Sequence, residues 1–131
     1  MEGSRRVHYQ TVMQPTGYEQ VPAARLDATF AALADSTRRA ILVRLLEGEA
    51  SVAELAAPFA MSQPAVSKHL KVLEVAGLVS VGREGQRRPR TLEPLPLVEA
   101  SGWLQRLREV WEADYQRLDE LLARLQSRTK S

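Results

Sequence analysis

The stretch SVAELAAPFAMSQPAVSKHLKVLEVAG, residues 51–77, sets two short helical patterns on either side of a tight break. Ser51 followed three residues later by Glu54 is the pattern in which a hydroxyl and a carboxylate satisfy each other's free backbone N–H groups, so a first helix is predicted to begin near Val52. Ser62 is the expected N-cap of a second helix. Pro64 falls in its first turn, where a missing N–H costs nothing, and Gly77 is suited to a left-handed C-terminal cap. The second helix is therefore expected to run from about Gln63 to Ala76. At about 100° per residue, Val66, Leu70 and Leu73 share one side of it, while Pro64, Ser67, Lys68 and Lys71 point to the other. One face packs; the other is cationic and hydrogen-bonding.

Downstream, Leu78 to Val81 is a short β-favouring run, Arg83 to Pro89 contains a glycine turn, and Arg90 to Leu92 can return as a second strand. The tip, REGQRRPR, sets Arg83, Arg87, Arg88 and Arg90 against the single acid Glu84. From Ser62 to Arg90 there are six Lys or Arg against two Asp or Glu, net +4; the whole chain is only +2, so the remainder is net −2. Charge concentrated in one helix plus hairpin is the electrostatic footprint of a nucleic-acid reader. The layout is that of a winged helix-turn-helix. Gln63, Ser67, Lys68 and Lys71 are the candidates for base edges and phosphates on the helix. Arg83, Arg87, Arg88 and Arg90 are the candidates for phosphates or the narrow minor groove beside it. His69, near the edge of the packed stripe, is placed with the DNA contacts; its alternative is to complete the border of the core. A solvated helix face and a basic surface loop are the plain alternatives for the whole set.

LADSTRRAILVRLLEG, SVAELAA, SQPAVSKHLKVLEVAGLV and the hairpin together resemble the ArsR-type bacterial winged-helix repressors. The resemblance covers about Leu26 to Leu95, with a matching C-terminal helix. It implies that Ser62 to Ala76 is the recognition helix, that the protein is a homodimer, and that it represses transcription by occupying a DNA operator, often in its own promoter. Many relatives of this type respond to metals, through a cysteine-bearing site in the first helix of the motif or through Asp and His side chains that meet across the dimer on the last helix. This chain has no cysteine and reads SVAELAA at the first place. At the second it has Glu109, Glu112, Asp114, Asp119 and Glu120 but no histidine. The expectation is a metal-independent member with no cofactor.

Outside the motif, residues 1–22 show no sustained period and are expected to form a flexible arm. Residues 23–95 are expected to form the DNA-binding domain, and residues 96–131 a dimerisation helix and tail. LDATFAALA should be a short helix with Leu26, Phe30 and Leu33 aligned. Asp35 or Ser36 should cap another, with Ile41, Leu42, Leu45 and Leu46 as its stripe and Gly48 as its end. Arg38, Arg39 and Arg44 on that helix read as solvated charges, with backbone anchors on DNA as their alternative. From about Leu97 to Leu125, Leu104, Leu107, Trp111, Tyr115, Leu118, Leu122 and Leu125 recur at steps of three and four, the mark of a long amphipathic helix. So small a domain cannot bury one whole side of it. The stripe is expected to meet its twin across a two-fold axis, with the first helix contributing. Trp103, Trp111 and Tyr115 have a pocket for a small molecule as their alternative role, and an unidentified small-molecule or protein effector remains open as a partner.

The fold class expected is thus mainly α with a small β-hairpin, dimeric through the long C-terminal helix and the first helix. With 131 residues there is no room for a second catalytic domain. No Gly-rich phosphate loop, nucleophile elbow or His–carboxylate cluster stands in the sequence, so an enzyme is not expected. No apolar run of membrane-spanning length or secretory leader is read, and a cytoplasmic protein is expected. The alternative function is a winged-helix protein-interaction or antirepressor module with only non-specific DNA affinity.

Overall fold

The computed structural model describes residues 21–130. Nearly all of the expected N-terminal arm lies outside them. Two compact units divide the chain, Val21–Ala100 and one that contains Ser101–Ser131.

The first unit holds helices α1 (Ala23–Leu33), α2 (Ser36–Leu45), α3 (Val52–Ala56) and α4 (Gln63–Val75), strands β1 (Val79–Val81) and β2 (Arg90–Leu92), and the first residues of α5 (Leu95–Lys130). The local signals account for most of these boundaries. Ser51 and Glu54 form the full capping box at the start of α3, and Asp35 caps α2 by accepting from the backbone N–H of Arg38. Ser62 caps α4, with Pro64 in the first turn. At the other end of α4, Gly77 takes a φ of +79°. Its N–H donates to Glu74 O at 3.0 Å and that of Leu78 to Leu73 O at 2.9 Å, a Schellman closure with buried Leu78 as its apolar partner.

Ile41, Leu55, Val66, Leu70, Leu73 and Leu78 are fully buried and make the centre of the core, which α2, α3, α4 and β1 share. Each such side chain contributes about 1.5–3 kcal/mol by leaving water. The antiparallel hairpin pairs Val79 with Leu92, Ser80 with Thr91 and Val81 with Arg90. Ala50, just before α3, bonds both ways with Arg90, at 3.1 and 2.8 Å, so the hairpin is also stitched to the far side of the motif.

One packing expectation needs correction. On α1 the aligned Leu26, Phe30 and Leu33 are half-buried, with Leu33 against the core, and Thr29 and Ala32 are the buried residues. Thr29 tolerates burial because its hydroxyl donates to Arg25 O at 3.0 Å, leaving its methyl to pack. On α2, Leu46 is not part of the stripe: it is the C-cap residue and is 71% exposed. Arg25 on α1 forks onto both oxygens of the buried Glu99 carboxylate at the start of α5.

In the second unit, α5 runs on to Lys130 as part of a 36-residue helix. Leu104, Trp111, Tyr115, Leu118, Leu122 and Leu125 are exposed along it, and Leu107 is half-buried. Trp111 and Tyr115 lie one turn apart with ring centroids 6.1 Å from each other. The polar side carries Arg106–Glu109, Arg108–Glu112 and Arg117–Asp114 pairs at helical spacing. Among the described residues, no helix is long and apolar enough to cross a membrane.

Candidate nucleic-acid interface

Helix α4 presents two chemically opposed faces. Val66, Leu70 and Leu73 are buried, and Gln63, Pro64, Ser67, Lys68 and Lys71 are exposed. Among the described residues, none of Gln63, Ser67, Lys68 and Lys71 engages its side chain in a hydrogen bond or an ion pair. A rigid helix, capped at both ends and anchored by three core residues, thus holds two free ammonium groups, an amide and a hydroxyl toward solvent. That set matches phosphate oxygens and base edges in a groove that admits an α-helix.

The hairpin is a tight one. Glu84 and Arg87 exchange backbone bonds at 3.1 and 2.9 Å around Gly85–Gln86, with Gly85 at φ +61°, a two-residue turn that needs glycine in its first position. Its four arginines fare differently. Arg83 is exposed and has no partner among the described residues. Arg88 is exposed but donates to the carbonyls of Gly85 and Arg87, bracing the turn. Arg87 reaches back to the Glu54 carboxylate at 3.2 Å and to Glu84 at 3.4 Å.

Arg90 does not stand at the tip. It is the first residue of β2, its side chain only 17% exposed, with Nε 3.8 Å from Glu74 Oε2 and Nη1 donating to Arg88 O at 2.8 Å. It is spent on holding the hairpin against α4. His69 is likewise turned inward: its side chain is 20% exposed, with Nδ1 3.3 Å from Arg38 Nη1 and 3.7 Å from Asp35 Oδ2. The structure therefore brings Gln63, Ser67, Lys68 and Lys71 together on one open face and keeps Arg83 and Arg88 exposed on the hairpin, while His69, Arg87 and Arg90 are engaged within the domain.

Arg38 and Arg39 are not merely solvated charges. Arg38 donates to Ala32 O at 2.8 Å and Ala31 O at 3.1 Å, and Arg39 to Leu33 O at 2.7 Å, so both cap the C-terminus of α1. Two carboxylates at helix starts are held below their ordinary values. Asp35 is lowered chiefly by the Arg38 backbone N–H, and Glu54 chiefly by the Ser51 backbone N–H, with Arg87 adding to the latter.

Two short helices joined by a break, an exposed polar face on the second, and a basic hairpin directly after it define a winged helix-turn-helix DNA-binding domain. The profile described as "Bacterial regulatory protein, arsR family" matches residues 35–81. The chain is 51% identical over 71 residues to the HTH-type transcriptional regulator Rv2034 of Mycobacterium tuberculosis, a match covering 54% of this chain and 66% of that protein. It is 33% identical over 79 residues to the transcriptional repressor SdpR of Bacillus subtilis, covering 60% of this chain and 88% of that one. The homodimeric winged helix-turn-helix DNA-binding domain Mb0332 of Mycobacterium bovis superposes with a TM-score of 0.55 at 25% identity, over 78% of this chain and 91% of that one. The chain belongs to the ArsR family of bacterial transcriptional regulators.

Proposed function

We propose that the protein is a homodimeric repressor that binds an inverted-repeat operator in double-stranded DNA without a metal cofactor, acting in the cytoplasm. The observation that carries this reading is the free polar face of α4. Gln63 and Ser67 are assigned to base edges, and Lys68 and Lys71 to phosphates or guanine acceptors. Arg83 and Arg88 on the hairpin flank the site and take the adjoining backbone. Two α4 helices would enter successive major grooves about 34–36 Å apart. A dimer lying across a promoter would exclude polymerase.

Dimerisation is supported by the exposed stripe Leu104, Trp111, Tyr115, Leu118, Leu122 and Leu125, which is apolar surface of the kind a twin helix covers. The homodimeric state of Mb0332 and the repressor role of SdpR point the same way. Metal independence is supported by the donor chemistry: Glu109, Glu112 and Asp114 are each paired with an arginine of their own helix. Protein that bound stoichiometric zinc and lost operator affinity with it would overturn that part.

Selection of genomic fragments with purified protein, followed by titration against random DNA at two salt concentrations and a sizing run, tests the whole. A symmetric site bound by a dimer about a thousandfold more tightly than random DNA is expected. Weak binding that vanishes equally for both DNAs as salt rises would refute operator recognition and leave the protein-interaction module.

A further inference from the structure

A single guanidinium joins three helices of the domain. Arg38, on α2, uses Nε and Nη2 on the last carbonyls of α1, Ala32 O at 2.8 Å and Ala31 O at 3.1 Å. Its remaining nitrogen, Nη1, lies 3.3 Å from Nδ1 of His69, thirty-one residues away on α4. A guanidinium carries only donors, so in this contact Nδ1 is the acceptor. Asp35 Oδ2, the other group near Nδ1, is 3.7 Å away, beyond hydrogen-bond reach, and accepts from the Arg38 backbone N–H at 3.0 Å. His69 is the immediate neighbour of Lys68 and is half-buried at the border between the packed and open faces of α4.

We propose that Arg38 is a positioning residue for DNA recognition: by donating to His69 Nδ1 it fixes the rotation of α4 against the α1–α2 corner. The rotation decides where Gln63, Ser67, Lys68 and Lys71 point. Core contacts at Val66, Leu70 and Leu73 hold α4 in place, but apolar packing is not directional, whereas a bond to one ring nitrogen is. A planar fork is required, because only it serves two carbonyls and a ring nitrogen at once; a lysine ammonium in its place is a point charge on a flexible stem. This inference rests on the DNA-binding reading. It adds that the joint lies outside the DNA-facing surface, and it takes His69 out of the set of direct contacts.

The test compares His69→Asn, His69→Gln and His69→Leu with Arg38→Lys, each in the full chain, on the selected operator and on random DNA, with thermal unfolding recorded for all. The amide oxygen of Asn can stand near Nδ1, and the amide of Gln near Nε2. His69→Asn should therefore keep operator affinity within about threefold, while His69→Leu and Arg38→Lys lose about tenfold or more, the scale of one hydrogen bond to a charged group. Affinity for random DNA should change little, since it depends on charge rather than register. If His69→Gln is the variant that rescues and His69→Asn falls as far as His69→Leu, His69 contacts DNA directly through Nε2 and the proposal fails. It fails equally if His69→Leu stays folded and keeps full operator preference, or loses operator and random DNA in parallel. Should Arg38→Lys not fold, the three His69 variants decide alone. A wild-type protein with no operator preference would instead sink the DNA-binding reading beneath it.

Discussion

Neutralising Lys68 and Lys71 together gives the sharpest measure of how the domain meets DNA. Per protomer the helix and hairpin expose Lys68, Lys71, Arg83 and Arg88, while Arg87 and Arg90 are held by Glu54, Glu84 and Glu74. A dimer thus brings about eight available cations, and with about 0.9 counterion released per phosphate contact the plot of log affinity against log salt should have a slope near −7. Were Arg87 and Arg90 also transferred to phosphates, about twelve contacts would steepen it to about −11. The double variant Lys68→Ala, Lys71→Ala removes four of the eight, so its slope should fall to about −3.6. A fourfold rise in salt would then cost about two decades of affinity rather than about four. Fluorescence anisotropy on a labelled operator at five or six salt concentrations reads both slopes, and circular dichroism checks that the fold is kept, as it should be for two exposed residues outside the core. An unchanged slope in the double variant would mean that α4 does not lie against phosphates. A wild-type slope near −11 would show that the hairpin arginines exchange their carboxylates for DNA.

Three further outcomes follow from the same geometry. Gln63→Ala should lower discrimination among operator variants by about 1–3 kcal/mol at one base position while leaving random-DNA affinity intact; a uniform loss across all sequences in a competition assay would contradict a base contact. Leu70→Ala empties a fully buried site between α4 and its neighbours and should lower stability by about 2–5 kcal/mol in urea titration; a loss under about 1 kcal/mol would mean that the site collapses freely or that α4 is loosely packed. Acid sensitivity should have a component at Glu54, whose carboxyl is lowered from its ordinary 4.5 by the Ser51 N–H and Arg87. A lowered acid stabilises the fold fully above that value and loses the contribution as pH falls through its folded value. Glu54→Gln should therefore be less stable than wild type at pH 7 and converge on it as pH drops below 4.5; parallel curves down to pH 2 would refute the linkage.

What was legible in the sequence was local. Ser51 with Glu54, Ser62 with Pro64, and Gly77 each act within one turn of chain, so their caps, the start of α3 and the bounds of α4 follow from spacing alone. The three-residue strands β1 and β2 were legible for the same reason, as β-favouring runs on either side of a glycine turn. Side-chain partners distant in sequence were not. Arg90 reads as one more cation in REGQRRPR because nothing nearby announces Glu74 on the preceding helix or Ala50 before α3. Arg87 pairs with a carboxylate thirty-three residues upstream, and Arg38 with a ring thirty-one residues downstream. Hydrophobic period also misplaced Leu46, since a helical stripe continues on paper past the residue where the helix closes. Charge counting locates the basic region well, but only folding divides it into cations free of carboxylates and cations paired with them.

That division bears on why the two exposed surfaces belong to one molecule. A lone domain with about four available cations would show a salt slope of only about −3.6, a grip set mainly by charge and weak at physiological ionic strength. The exposed apolar stripe beyond Ala100 is a cost to a monomer in water, and covering it with a second copy doubles both the phosphate contacts and the number of base-reading helices. Once one α4 is seated, the second binds from a tethered position rather than from bulk solution, so the gain exceeds the sum of two independent contacts only when the spacing of the helices fits the operator. Any effector that alters that spacing needs no contact with DNA. It would act by favouring a dimer in which the second α4 no longer reaches its groove, at an energetic cost equal to the difference in its affinity for the two arrangements.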